Sequence, residues 1–313
     1  MMTDRERAIA ALTCKIPDRI PTFELEYQLA GEVFGKEILT EDDLKGKTQK
    51  EIDYLLEDNA EFLIKIYSEM EHSIIPLHWL SEEHIKKTAK LINEKSHYSF
   101  LLTHHGDGTF ALPDGEKMYD FAYRTVDDWD GLLAEARKMA DGAIEKNKRL
   151  FDAGIESFIL CCDYCYNMGP FVSPKMFREL ITPYLTDIIS EIHKMGGYAI
   201  KHTDGDIMPI LDQLIEAGPD AIHSLDPMAG VDIAKVKAIT YPAHVAICGN
   251  VNCALMQTGT DEEVRASALY ALENGKPGGG YIYCTSNVPF KGLPPERYQM
   301  ILDIWKEHRD YGV

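Results

Sequence analysis

The sequence lacks the long apolar runs of a membrane protein and the excess of basic residues found in proteins that bind nucleic acid. No stretch reaches the roughly 18 consecutive apolar residues of a membrane-spanning helix. Lysine and arginine total 32 against 51 acidic residues, and the net charge of −19 would repel a phosphate backbone. These two shortages argue against a membrane protein and against a nucleic-acid partner.

The number of cysteines and their apolar neighbours in the sequence argue against a disulfide framework. The seven cysteines are an odd number, and several lie inside apolar runs such as FILCC (158–162) and VAICG (245–249). We expect most of them to be small core residues. The first residues are charged and lack the apolar centre of a signal peptide, so the cytoplasm is the expected compartment.

Short apolar runs separated by helical stretches indicate a parallel sheet. The 313 residues are 45% hydrophobic, which is ordinary for a globular protein, and their number suits two average domains or one large α/β barrel. The runs are too continuously apolar for half-exposed strands and fit strands that are buried on both faces. We count seven candidate strands and infer an eighth, which predicts a (β/α)8 barrel. The candidates are residues 19–27, 72–79, 156–164, 197–205, 220–227, 244–252 and 280–287.

Two other segments have readable local signals. Residues 99–125 contain Gly106, Gly108 and a Pro-Asp-Gly triplet, which predicts hairpins inserted in the N-terminal half. Further on, Ser173 followed by Pro174 predicts the start of a helix that Gly196 ends. Pro183 should kink that helix in its middle.

Polar side chains collect where the predicted strands end. Ligands bind at the carboxyl ends of the strands in parallel α/β folds, so these side chains are expected to face one cavity. His202 and Asp204 form the strongest pair because both follow a single strand. The full set is Glu24, Glu26, Asp163, Tyr164, Tyr166, Asn167, His202, Asp204, Asp226, Asn250, Asn252, Cys284, Ser286 and Asn287.

Several of these residues have a structural interpretation of equal weight. Asp226 and Asn252 are residue types that cap helices and form turns, and Cys284 suits a core thiol. Tyr164 and Tyr166 can pack beneath a loop instead of supporting a planar ring. The isolated histidines have no ligand spacing and are expected on the surface or in loops; they are His72, His78, His84, His97, His104 and His105.

Ordered blocks from about residue 160 to 308 resemble the uroporphyrinogen decarboxylase superfamily. They include YAIKHTDGDI, ICGNVNCALMQTGTDEEV and GGYIYCTSNVPFKGLPPERY. The resemblance implies a (β/α)8 barrel that forms one domain over residues 1–313, a site at the carboxyl face of the sheet, and a homodimer. The decarboxylases themselves have an arginine-rich segment near the first strand that holds substrate carboxylates. Here that region reads FELEYQLAGE and contains no arginine, so decarboxylation of a tetrapyrrole is disfavoured.

The methyltransferase branch of the superfamily resembles the sequence more closely. Its thiol-methylating members bind zinc through a His-x-Cys pair and a later cysteine, and the metal holds the acceptor as a thiolate. His202 matches the histidine and Cys284 lies near the late cysteine, but Asp204 stands where the middle ligand is a cysteine. A zinc site formed by His202, Asp204 and Cys284 is therefore an alternative, and the favoured interpretation has no metal.

The loss of one thiolate suits a methyl acceptor that is an amine. The resemblance to methylcobalamin:tetrahydrofolate methyltransferases implies transfer of a methyl group from methylcobalamin on a partner corrinoid protein to N5 of tetrahydrofolate. His202 and Asp204 are then expected to handle the proton, and the other strand-end residues to bind the substrate. A non-catalytic corrinoid-binding subunit is the remaining alternative.

Overall fold

A parallel sheet of seven strands forms the centre of the protein in the computed structural model, which describes residues 2–312. The strand order is β1-β2-β3-β6-β7-β8-β9, so each strand lies beside the next strand of the series along the chain. A separate two-stranded hairpin contains β4 and β5. The strands are β1 Ile74–Pro76, β2 Leu101–His105, β3 Ser157–Cys161, β4 Cys165–Tyr166, β5 Gly169–Pro170, β6 Tyr198–His202, β7 Ala221–His223, β8 Ala246–Val251 and β9 Tyr281–Thr285.

Helices follow the strands and cover the outside of the sheet. They are α1 Asp4–Leu12, α2 Ala30–Phe34, α3 Gln49–Glu69, α4 Glu82–Ser96, α5 Gly115–Asp127, α6 Trp129–Phe151, α7 Pro174–Leu180, α8 Thr182–Met195, α9 Leu211–Glu216, α10 Ile233–Thr240, α11 Cys253–Thr258, α12 Asp261–Gly275 and α13 Pro295–His308. Short 3-10 helices lie at Glu41–Leu44, Met208–Ile210, Pro227–Ala229 and Tyr241–Ala243. Among residues 2–312, no helix is long and apolar enough to cross a membrane.

The segment around Thr22 joins the two edges of the sheet. Thr22 forms a parallel bridge with Tyr283 of β9, and its carbonyl accepts a hydrogen bond of 2.7 Å from Ser73 N, immediately before β1. This extended segment occupies the place of an eighth strand without the regular ladder predicted for residues 19–27. The predicted TIM-barrel architecture is confirmed, with seven regular strands and this one bridging segment.

The hairpins predicted for residues 99–125 are wrong. Part of this segment is β2, which pairs in parallel with β1 and β3, and another part lies in α5. The Pro-Asp-Gly triplet that suggested a turn is the start of the helix, because Asp114 occupies its N-cap position. Phe121 packs on Phe171 at a ring distance of 5.5 Å, whereas Tyr119 and Tyr123 of α5 are exposed.

The helix predicted to begin after Ser173 is present and is divided as Pro183 suggested. The Ser173 side chain accepts a hydrogen bond from Met176 N, which caps α7. The helical series breaks at Ile181, one residue before α8 begins. Gly196 then ends α8 in the left-handed conformation, with a φ of 88° that glycine adopts without steric cost.

One core fills the inside of the barrel and a second lies between the sheet and the helices. The inner core contains Ile159, Ile200 and Ile282, and α1 closes it from one end through Ala8 and Leu12. This end carries the amino termini of the strands, because Arg5 N donates to Ser99 O just before β2. The carboxyl ends of the strands are therefore at the opposite end of the barrel.

Candidate active site

A cluster of one histidine and two carboxylates lies at the carboxyl ends of β3 and β6. Side chains two positions apart on a strand share a face, so His202 follows Ile200 of the inner core, and Asp204 continues the series beyond the end of the strand. Cys161 of β3 pairs with His202 in the register, which brings Asp163 to the level of Asp204. The strand ends thus bring together three of the residues predicted from the sequence.

The imidazole of this cluster lies beneath the two carboxylates. His202 Nε2 is 3.7 Å from Asp163 Oδ1 and 3.9 Å from Asp204 Oδ1. The backbone N–H of Asp204 donates to Asp163 Oδ1 over 3.0 Å, which fixes the relative position of the two acids. The side chain of His202 is 3% exposed, whereas those of Asp163 and Asp204 are 44% and 28% exposed. A molecule in solvent can therefore reach the carboxylates.

Two neutral donors hold the carboxylate of Asp204. Ser224 Oγ donates to Oδ1 over 2.6 Å and Asn287 Nδ2 donates to Oδ2 over 2.5 Å. Burial raises the pKa of Asp204 to about 7 against the opposing effect of the Ser224 hydrogen bond, and the neighbouring carboxylates of Asp163 and Asp226 add to the rise. A carboxyl group with this pKa can accept or donate a proton near neutral pH.

The imidazole ring of His202 forms a hydrogen bond with the ring of His223. The Nδ1 atoms of the two rings are 2.7 Å apart, so one ring donates and the other accepts. Burial lowers the pKa of His202 to about 3 and the pKa of His223 well below its usual value, so both rings are uncharged. Because Nδ1 of His202 is engaged in this way, Nε2 is the nitrogen that faces the carboxylates.

His223 and Ser224 were missed by reasoning from the sequence. His223 is in register with His202 on the adjacent strand, and Ser224 follows it with a φ of 87°. Both residues belong to the segment DAIHSLDP and lie just before Asp226, which was predicted as a site residue.

Asp163, His202 and Asp204 could together hold a cation. Each offers one ligand atom, and the three atoms lie within 4.8 Å of one another. One nitrogen with two carboxylate oxygens is a donor set that a divalent metal such as zinc accepts. The fit is therefore possible without a thiolate.

Cys284 does not belong to this group, which corrects the predicted alternative of zinc held by His202, Asp204 and Cys284. The thiol is fully buried in the inner core of the barrel with Cys248. Burial raises the pKa of the Cys284 thiol well above its usual value, so the thiol stays protonated. The structure supports its interpretation as a core residue.

Glu24 is also outside the predicted cavity. Its carboxyl group is 1% exposed and accepts hydrogen bonds from Thr285 N at 3.3 Å and Tyr298 OH at 3.2 Å. Burial raises its pKa to about 8, with these donors acting in the opposite direction. Tyr298 belongs to α13, so Glu24 links the sheet to a helix instead of facing a substrate.

The two tyrosines do not form a platform over the site. Tyr164 is fully buried, with Lys201 Nζ 3.9 Å from its ring centroid and its hydroxyl 2.5 Å from Thr109 Oγ1. Tyr166 and Asn167 are exposed on the small hairpin. The packing interpretation is therefore correct for Tyr164.

Asp226 and Asn252 act as caps. Asp226 Oδ1 accepts from Met228 N over 2.8 Å at the start of a 3-10 helix, and its Oδ2 accepts from Gly205 N over 3.3 Å. Asn252 caps α11 by accepting from Ala254 N over 2.9 Å. Asp226 adjoins the Asp204 loop through Gly205, whereas the side-chain oxygen of Asn252 is committed to its helix.

Asn250 and Ser286 are buried close to the ends of β8 and β9. Asn250 Nδ2 donates to the carbonyl of Leu225 over 2.8 Å, and Ser286 Oγ accepts from Cys253 N over 3.4 Å. Both side chains support the loops around the site. Of the predicted substrate-binding residues, Asp163 and Asn287 are the ones in direct contact with Asp204.

A second cluster, formed by Glu26, His78 and His105, lies at the ends of neighbouring segments. Its ligand atoms are also within 4.8 Å of one another, and the centroids of the two imidazole rings are 3.9 Å apart, with the ring planes tilted by 32°. Burial lowers the pKa of His105 to about 4 and that of His78 well below its usual value. The prediction that the isolated histidines lie on the surface or in loops is wrong for His105, which ends β2, whereas His78 lies in the loop after β1 as expected.

The same correction applies to His104, which lies within β2 and is 6% exposed. His72 lies in the loop before β1 as expected, although it is fully buried, and His97 is exposed as expected. His104 Nδ1 donates to Leu77 O over 2.6 Å, and its ring centroid is 6.0 Å from that of His78 and 6.3 Å from that of His105. Adjacent residues on a strand point to opposite faces, which explains why His104 and His105 do not share a site.

Two solved structures have folds similar to that of this protein. A methyltransferase from Methanosarcina mazei is similar over 98% of this chain and 99% of that chain, with 15% sequence identity and a TM-score of 0.76. SacUVDE is similar over 92% of this chain and 98% of that chain, with 9% identity and a TM-score of 0.52. At these identities the similarity shows the fold alone. No curated protein matches the sequence.

The model of the uroporphyrinogen decarboxylase family matches residues 112–308, well over half of the chain. The matched region includes β3 to β9 and the whole Asp163–His202–Asp204 cluster. The resemblance inferred from the sequence blocks is thereby confirmed, and the chain belongs to the uroporphyrinogen decarboxylase (URO-D) family.

Proposed function

We propose that this protein is a methyltransferase that moves a methyl group from methylcobalamin on a partner corrinoid protein to N5 of tetrahydrofolate. The observation that carries the proposal is Asp204, a solvent-reachable carboxyl group with a pKa near 7 that two neutral donors hold in place. N5 of tetrahydrofolate is an amine that must lose a proton when it is methylated. A positioned base with this pKa suits that requirement.

The reaction requires two bonds to form and two to break. The N5 lone pair attacks the methyl carbon, and the cobalt–carbon bond breaks with its electron pair going to cobalt, which leaves as cob(I)alamin. The N5 proton passes to the carboxylate of Asp204, and solvent removes it later. His202 stays uncharged throughout, since burial holds its pKa at about 3. Its Nε2, 3.7 Å from Asp163 Oδ1 and 3.9 Å from Asp204 Oδ1, can serve as a hydrogen-bonding partner for a molecule bound between them.

Asp163 and Asn287 are the residues best placed to contact the pterin. Asp163 is the most exposed member of the cluster, and a carboxylate can accept hydrogen bonds from the N3–H and 2-amino group of a pterin. Asn287 already donates to Asp204 and can offer its amide oxygen to the same ring. Both residues are partly exposed to solvent.

Two further observations support a methyltransferase over a decarboxylase. The fold resembles that of the M. mazei methyltransferase over nearly its whole length. Among residues 2–312, no lysine or arginine pairs with Asp163 or Asp204, although a polycarboxylate substrate would need cations. The acids at this site suit a substrate that donates protons.

A zinc-dependent transfer to a thiol is the second candidate. It is favoured by the spacing of Asp163, His202 and Asp204, which could hold a zinc ion that would bind the acceptor as a thiolate. It is disfavoured by the burial of Cys284, which leaves this set without a protein thiolate. The two candidates differ in acceptor and in metal requirement.

Incubation of the purified protein with methylcobalamin and tetrahydrofolate under anaerobic conditions tests the proposal. We expect the corrin spectrum to change to that of cob(I)alamin only when both the protein and tetrahydrofolate are present. A parallel reaction with a small thiol in place of tetrahydrofolate distinguishes the acceptors. Turnover with the thiol alone, lost after chelation and restored by zinc, would establish the second candidate.

A further inference from the structure

We infer that Glu26, His78 and His105 form a binding site for a divalent transition metal, separate from the Asp163–His202–Asp204 cluster. Two imidazoles with one glutamate are a common ligand set for zinc, and such sites leave a coordination position open for water or a substrate. The inference rests on the geometry of this second cluster and does not depend on the proposed methyl transfer.

The three ligands come from three different parts of the barrel mouth. Glu26 follows the bridging segment around Thr22, His78 follows β1, and His105 ends β2. Their ligand atoms lie within 4.8 Å of one another. Ligands bound to tetrahedral zinc at about 2.0–2.1 Å are about 3.4 Å apart, so closure around an ion needs movements on the order of 1 Å.

A hydrogen bond to the backbone sets which ring nitrogen of His78 can bind a metal. Its Nε2 donates to the carbonyl of Leu25 over 3.1 Å, which leaves Nδ1 unprotonated. That Nδ1 is buried and has no hydrogen-bond partner among the described residues. Metal-binding histidines typically donate their other ring N–H to a backbone carbonyl or a carboxylate in this way. A buried nitrogen lone pair without a partner costs free energy that a bound metal would recover.

His105 and Glu26 complete the arrangement. His105 Nε2 is a second buried ring nitrogen for which the described residues provide no partner. Gln28 donates to Glu26 Oε2 over 3.0 Å, which orients the carboxylate, and Oε1 has no hydrogen-bond partner within residues 2–312. Glu26 and His78 also line a cavity of about 10 Å³, which is room for one ion or one water molecule. The cluster thus offers two ring nitrogens without hydrogen-bond partners among the described residues, and two of its three members line a cavity.

Zinc titration of the chelator-treated full-length protein, with a coloured zinc chelator as competitor, tests this inference. We expect one zinc ion per chain at this site, and His78→Gln and His105→Gln to weaken it by at least about 10–100-fold. X-ray absorption at the zinc edge should show imidazole scattering from two histidines. Circular dichroism and thermal unfolding establish that each variant is folded.

His104→Gln is the matched control, because His104 is the buried neighbour of His105 but faces Leu77 O. It should bind zinc as the unchanged protein does. Asp163→Asn and Asp204→Asn should also leave this zinc ion bound, although they impair the proposed methyl transfer. The inference is overturned if the unchanged protein binds no zinc. It is also overturned if binding survives in the His78 and His105 variants but is lost in those of Asp163 and Asp204.

Discussion

Replacement of Asp204 by asparagine should make the protein more stable and less active, with both effects appearing as the pH rises. Asparagine keeps the size of the side chain and the acceptor for Ser224 Oγ. Asn287, which donates to the other carboxylate oxygen, must turn its amide so that its own oxygen faces the new amide group. The substitution therefore removes a charge while preserving the local packing.

The expected change in stability follows from the pKa of Asp204. Burial raises this pKa from 3.8 to about 7, so the folded protein holds a proton that the unfolded chain has already released. Stability should fall as the pH rises from about 4 to about 7 and then level off. At about 1.4 kcal/mol for each tenfold change in proton affinity, the full cost is roughly 4 kcal/mol. We expect about 2–4 kcal/mol, because the side chain is partly exposed.

Urea unfolding near pH 5 and pH 8 measures this difference. The free energy of unfolding of Asp204→Asn should exceed that of the unchanged protein by about 2–4 kcal/mol near pH 8 and by less near pH 5. Asp206→Asn is the control, since Asp206 accepts from Met208 N over 3.0 Å and asparagine can do the same. Because this variant keeps Asp204, it should retain the fall in stability with rising pH that is expected of the unchanged protein.

The rate of methyl transfer should change in the opposite direction. With Asp204 as the base, the rate for the unchanged protein should rise through a pKa of about 7 and then become constant. The asparagine variant should lose about 10²–10⁴-fold in kcat, because one proton-transfer step loses its base. An asparagine variant that keeps both full activity and the same pH profile would refute the role assigned to Asp204.

Three further perturbations test the surroundings of the site. Burial raises the pKa of Glu24 to about 8, so the stability of the unchanged protein should fall as the pH rises from about 4.5 to about 8, and Glu24→Gln should abolish this fall. Urea unfolding with the same pH dependence in the variant would contradict this. Asp107→Asn should cost about 3–5 kcal/mol in thermal or urea unfolding, because it leaves the fully buried Lys201 without the carboxylate 2.8 Å away; a loss below about 1 kcal/mol would contradict this. Cys284→Ala should leave methyl transfer to tetrahydrofolate unchanged, because the Cys284 thiol lies in the barrel core. A loss of activity in a folded variant would contradict this and show that the thiol takes part in the reaction.

The barrel and the central pair of the site could be predicted from the sequence because they depend on local patterns. Continuous apolar runs gave the strands of the second half, and the position of His202 and Asp204 after one of them fixed their common face. β2 was missed because its short run precedes glycines that resemble hairpin turns. Local turn chemistry there was overridden by parallel pairing with two distant strands.

The remaining errors concern the direction in which side chains point. Glu24 follows the bridging segment around Thr22, and Tyr164 follows β3. Their side chains contact Tyr298 of α13 and Phe177 of α7 instead of facing the barrel mouth. One residue of register decides between these two faces, and strand ends inferred from apolar runs are not defined that finely. The Glu26–His78–His105 cluster has no spacing signal, since its members are brought together only by the closed sheet.

The most direct measurement of the central claim follows a labelled methyl group. The protein is supplied with methylcobalamin that carries a ¹³C methyl group, and with tetrahydrofolate and a small thiol at equal concentration. Mass spectrometry then identifies the methylated product. We expect the label on N5 of tetrahydrofolate, at a rate that falls about 10²–10⁴-fold in Asp204→Asn. Label on the thiol alone, or no enzyme-dependent transfer to either acceptor, would contradict the proposed function.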